Sequence, residues 1–122
     1  MLCRLIYLSV VARNIRFQDV EEIAERSASR NAALGVSGLL LYTPSHFAQV
    51  LEGDETVVRQ VYDRVKRDAR HTRVRTISEQ PISERAFGDW GMKAAALRSE
   101  LSADVLSRLD ATSALKLLLS LR

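Results

Sequence analysis

The sequence predicts an α+β sandwich. Three observations lead there: strand-like and helix-like segments alternate with strands outnumbering helices, the connections between them are short, and a leucine-rich helical segment follows the last strand. With 122 residues the chain fits one domain and can bury about two-thirds of its unfolded surface. Its apolar fraction of 47% and charged fraction of 27% are those of an ordinary globular protein.

The first segment, "LCRLIYLSVV" (2–11), is aliphatic and β-branched with little alternation, which predicts a strand covered on both faces. "FQDVEEIAERSASRNAAL" (17–34) is helical. Its Phe17, Val20, Ile23, Ala24, Ser27 and Asn31 share one face at spacings of three and four, and Gly35 follows in the usual C-terminal position. "VSGLLLYT" (36–43) and "HFAQVLEG" (46–53) form two strands joined by a turn at "PS" (44–45). Asp54 can cap the next helix, "ETVVRQVYDRVKRD" (55–68), whose buried stripe is Val57, Val58, Val61, Tyr62 and Val65. Strand-like segments at about 72–80 and 87–96 flank "PISER". From Ser102, a candidate N-cap, the chain is helical again, broken near "DATS" (110–113). The order βαββαββ is that of a ferredoxin-like sandwich with an extra strand: a mixed five-stranded sheet, two helices on one face and the C-terminal helices on the other, within the chain or across a dimer.

Bulk properties exclude some functions. Net charge is +3, and the densest basic run, Arg64, Lys66, Arg67, Arg70, His71, Arg73 and Arg75, suits a solvated helix end better than a nucleic-acid surface. The lone Cys3 excludes an intramolecular disulfide and a multi-cysteine metal site. No segment resembles a signal peptide or a bilayer span, so a cytoplasmic location with no membrane partner is expected.

Strand parity then sorts the polar side chains. Phe47, Gln49 and Leu51 share one face of the third strand, with Ala48, Val50 and Glu52 on the other. Leu5, Tyr7 and Ser9 share a face of the first strand, which is expected to neighbour the third. Asn31 points inward from the first helix, and Arg64 and Asp68 flank the stripe of the second at a spacing of four. An unpaired buried amide costs roughly 1–3 kcal/mol, so Gln49 among apolar neighbours needs a partner. Each polar group could be satisfied locally, but their convergence suits a polar, planar ligand between helices and sheet.

At this point the chain resembles the BLUF family of blue-light sensors that use a flavin. The resemblance runs from "RLIYLS" (4–9) to "WGM" (90–92), through "SASRNAALGVSGLLLY", "FAQVLEGDE" with "VYDRVKRDARH", and "RAFGDWGM". It implies a photosensor domain over 1–97 and a helical extension over 98–122, with FAD as cofactor or FMN in its place. It implies that Tyr7 donates an electron to the excited flavin and that Gln49 lies between that tyrosine and the flavin ring. Asn31 would bond the polar edge of the ring, and Arg64 and Asp68 would lie near its carbonyl edge and ribityl chain. Arg30 stands where family members carry histidine or asparagine. Ser9, Trp90 and Met92 fall at switch positions, and the sequence leaves open whether Trp90 or Met92 faces the flavin. The expectation is a short stand-alone photoreceptor, no enzyme, that signals through a protein partner and dimerises through its leucine-rich tail. A light-insensitive flavin-binding or protein-interaction domain of the same fold is the alternative.

Two other families of similar topology fit less well. An acylphosphatase needs a glycine-rich phosphate loop after the first strand, where this chain has "VVARNIR". An RNA-recognition sheet exposes aromatic and basic residues on its third strand, where "HFAQVLEG" has one Phe and no Lys or Arg.

Overall fold

The structure is a computed structural model that describes residues 1–88, 91–97 and 103–122, without the side chains of residues 103 and 104. Its elements run β1 (Leu2–Val11), α1 (Phe17–Ala33), β2 (Ser37–Tyr42), β3 (His46–Asp54), α2 (Glu55–Arg67), β4 (His71–Pro81), β5 (Met92–Ala96), α3 (Ala103–Ser107) and α4 (Ala111–Ser120). They form one mixed sheet of order β4-β1-β3-β2-β5, antiparallel except for the β2–β5 pair. This is the ferredoxin-like sandwich with an added strand that the element order predicts.

β1 and β3 lie at the centre because both are apolar on both faces. Helices α1 and α2 cover one face, where Leu5, Tyr7, Leu51, Val58 and Val61 pack together beside a second cluster of Val20, Ile23, Leu40 and Phe47. The tail covers the other face within the same chain. There Ile6, Leu8, Leu39, Leu41 and Val50 meet Phe87, Leu106, Leu109 and Leu118. α2 starts at Asp54, whose carboxylate accepts the N–H of Thr56, and α4 starts at a reciprocal capping pair of Asp110 and Ser113. Asp110 therefore realises the break expected at "DATS"; the expected cap Ser102 lies outside the described residues.

The fifth strand is shorter than the sequence predicts. It begins at Met92 rather than near residue 87, because the N–H groups of Ala86 and Phe87 are drawn to the Glu52 carboxylate instead of a ladder. Gly91, at φ +61°, then turns the chain into the strand, and its carbonyl accepts the N–H of Gly38. Gly38 is required: a Cβ there would collide with the Val50 carbonyl oxygen.

Candidate flavin-binding pocket

Register brings the two central polar residues together. Tyr7 and Gln49 are directly opposed on β1 and β3, and both are 1% exposed. The Tyr7 hydroxyl donates to Gln49 Oε1 at 2.6 Å, while Gln49 Nε2 donates to the thioether sulfur of Met92 at 3.6 Å. Burial, with smaller contributions from Tyr62 and Asp68, pushes the Tyr7 phenol far above its ordinary value, so it is neutral at any physiological pH. Tyr62 packs against it with ring centroids 5.3 Å apart, and its own hydroxyl is held by Thr76 at 2.6 Å.

Around this pair a cleft opens between α1, α2 and the sheet. Tyr7, Gln49, Arg30, Asn31, Arg64 and Asp68, all expected from the sequence, line it together. Ile23, Leu40, Phe47, Val61 and Val65 supply apolar walls, and the atom-free space, open mouth included, is roughly 430 Å³. This mixture of apolar walls with a few convergent polar groups is that of a small-ligand site. Asn31 is 4% exposed, yet its side-chain amide has no hydrogen-bond partner among the described residues. No fully enclosed side-chain N or O in the described residues lacks a partner, so the Asn31 amide reaches the cleft. Arg30 and Arg64 are exposed at the mouth, one from each helix, with no carboxylate partner among the described residues. Asp68 is engaged by Arg70, whose Nη2 lies 2.6 Å from its carboxylate; that hydrogen bond holds the Asp68 carboxyl down at about 2.

The sequence reading missed His71. Counted in the basic run as a solvated residue, it instead turns inward to line the cleft. Its Nδ1 is 2.8 Å from Ser9 Oγ, and its ring centroid lies 4.4 Å from that of Phe47. Burial pushes its pKa down to about 4, against a raising effect of Asp68, so it is a neutral imidazole at pH 7. Ser9 reaches the pocket wall only through this histidine. The available signal was pairing: an antiparallel β4 beside β1 sets residue 71 opposite Val11, at the end of the strand that carries Ser9.

Of the two fifth-strand positions, Met92 touches Gln49, and Trp90 lies outside the described residues. Among the described residues there is no cluster of His, Cys, Asp and Glu able to hold a metal ion, and no helix is long and apolar enough to cross a membrane. The donor set fits a flavin: among the described residues it has an Asn31 amide without a partner, a Gln49 NH₂ bonded only to a weakly accepting sulfur, and arginines at the mouth.

Comparisons with known proteins agree. The sequence model of the BLUF family, described as sensors of blue-light using FAD, matches residues 2–93. The chain is 36% identical over 95 residues to the photoactivated adenylate cyclase subunit beta of Euglena longa, spanning 77% of this chain and 11% of that protein. It is 35% identical over 106 residues to the blue light- and temperature-regulated antirepressor BluF of Escherichia coli strain K12, spanning 87% of this chain and 26% of BluF. The chain thus covers only about a tenth to a quarter of the length of these relatives. The dark-state structure of BlrB, a BLUF protein, superposes with a TM-score of 0.78 at 32% identity, over 98% of this chain and 92% of that one. What this chain shares with the cyclase is a stretch of 95 residues, and the activity in the name is that protein's. The chain belongs to the BLUF family, the blue-light sensors that use FAD.

Proposed function

We propose that the cleft between α1 and α2 holds a non-covalent FAD, with FMN able to take its place, and that Tyr7 and Gln49 turn blue-light absorption into a hydrogen-bond rearrangement. The observation that carries this reading is the 2.6 Å bond from Tyr7 to Gln49 inside a buried pocket. The flavin, when bound, supplies the absorption of blue light and an acceptor for one electron. Asn31 bonds the ring's polar edge, and Arg30, Arg64 and Asp68 serve the carbonyl edge and the ribityl chain. Tyr7 gives up the electron. Its oxidised phenol is far more acidic than a neutral one, whose pKa is about 10, so its proton passes along the short bond to Gln49 Oε1. When electron and proton return, Tyr7 is restored and Gln49 is left rotated or tautomerised.

The Tyr7 hydroxyl both donates and accepts, so an inverted Gln49 amide keeps its bond to Tyr7 through Nε2. On inversion Gln49 gives up the weak N–H···S contact to Met92, and the Tyr7 O–H, now accepting from Nε2, must turn to another acceptor. Gln49 is therefore a two-state element, and Met92 and Ser9 are the groups that feel its state; Trp90 belongs to the same switch. We assign the sensor to residues 1–97 and the output to the extension 98–122, which passes the signal to a protein partner and joins two chains as a homodimer. The free thiol of Cys3 fits a reducing, cytoplasmic setting.

The test is the visible spectrum of the FAD-loaded protein before, during and after blue illumination. The band shifts red in light and relaxes in darkness; Tyr7→Phe and Gln49→Leu still bind FAD but lose the shift. A protein that binds FAD with no shift is the light-insensitive alternative, and one that binds no flavin sinks the pocket reading.

A further inference from the structure

Glu52 lies three residues beyond Gln49 on β3, facing the tail instead of the pocket, and is 0% exposed. Its cross-strand partner Arg4 donates from Nε to Oε2 at 2.8 Å, and Arg4 Nη2 lies 2.8 Å from the same oxygen in an ion pair. That arginine already balances the charge. Two further donors come from far along the chain: the N–H of Phe87 to Oε1 at 2.8 Å and the N–H of Ala86 to Oε2 at 3.2 Å. A buried carboxylate is tolerated only when its lone pairs are filled, so the segment 86–87 is bound tightly.

This segment is the approach to β5. The Phe87 side chain is fully buried in the tail-side core, and the Ala86 carbonyl accepts from Arg122 Nη1 at 2.9 Å. Arg85 closes the other side, donating to the carbonyls of Gly35 and Glu52 and to Ser37 Oγ. A second route leaves β3 through the pocket. Gln49 touches Met92, and the neighbouring Lys93 Nζ lies 3.4 Å from the Leu121 carbonyl. The two routes start three residues apart and end on adjacent residues at the end of the chain.

We propose that Glu52 is a positioning residue for β5: by hooking Ala86 and Phe87 it sets where the fifth strand begins, keeps Met92 against Gln49, and ties the β5 approach to the last turn of the tail. The inference rests on the pocket reading above for the roles of Gln49 and Met92. Removing the hook loosens β5 and the tail end together and reaches the flavin pocket only through Met92.

Amide hydrogen exchange on the full-length, FAD-loaded protein in the dark tests this, alongside the relaxation rate after illumination. In Glu52→Gln, exchange at residues 86–87 and also at 92–96 and 118–122 rises by about tenfold or more, while β1 and β3 keep their protection. Thermal relaxation of the light-shifted band changes by about threefold or more, because Met92 no longer holds its place beside Gln49. The double variant Arg4→Leu, Glu52→Leu removes both charges and leaves no unpaired arginine in the core; it carries the same test should the single variant fail to fold. Faster exchange confined to 86–87, or spread evenly over the sheet, with unchanged relaxation, would overturn the proposal. If the wild type shows no light-induced shift, the photoreceptor reading falls, and the exchange pattern alone still decides the role of Glu52.

Discussion

Gln49 and Glu52 occupy the same strand, are equally buried and point to opposite faces of the sheet, yet they differ in how much hydrogen-bonding capacity is left over. Glu52 receives an arginine and two backbone N–H groups, so both of its oxygens are partnered by strong donors. Gln49 has one strong partner and spends its donor on a sulfur. The faces around them follow suit. Toward the tail the sheet meets leucines and Phe87 in a close apolar core; toward α1 and α2 it meets a cleft with an Asn31 amide that has no partner among the described residues. A fully partnered polar group fixes a structure, whereas one with spare capacity can exchange partners, and β3 carries one of each.

The largest effect expected from this contrast is on the tail side. Phe87→Ala empties a fully buried ring position and should lower unfolding free energy by about 3–5 kcal/mol in chemical denaturation. The pocket face does not share this ring, so the FAD-loaded variant should keep its light-induced shift. Loss of the shift in a folded variant would mean that the two faces are not separable.

A middle-sized effect belongs to the pocket side and depends on pH. The His71 imidazole has an ordinary value of 6.5 and a folded value of about 4. Between these the unfolded chain binds the extra proton, so flavin-free stability should fall as pH drops from about 6.5 to about 4, by about 2–3 kcal/mol. His46, also pushed down by burial, acts in the same direction. His71→Gln should therefore flatten the profile only in part, and an unchanged profile would show that His71 is not buried as a neutral group.

The smallest effect is on affinity. Asn31→Ala removes an amide with no protein partner among the described residues, so it should leave the stability of the flavin-free chain nearly unchanged. FAD affinity, followed by flavin fluorescence, should weaken by about tenfold, the loss of one ligand hydrogen bond. A destabilised apo-protein with unaltered affinity would place Asn31 on the structural side of the comparison.

Much of this molecule follows from its sequence alone. Periodicity and parity are local properties, and they sufficed for β1 over residues 2–11, for α2 from its Asp54 cap, and for the sharing of faces by Leu5, Tyr7 and Ser9 and by Phe47, Gln49 and Leu51. The motif order that marks the family is likewise written in the chain. What the sequence could not decide were pairings between residues far apart. The inward turn of His71 depends on β4 lying beside β1, so a residue counted among surface cations became a wall of the pocket. A strand is expected from about residue 87, but the Glu52 carboxylate more than thirty residues earlier claims the N–H groups of Ala86 and Phe87, and β5 begins only at Met92. Only the folded sheet shows that Met92 meets Gln49. Hydrophobic pattern records which face a side chain takes; which distant donor fills a given lone pair is settled only when the strands are side by side.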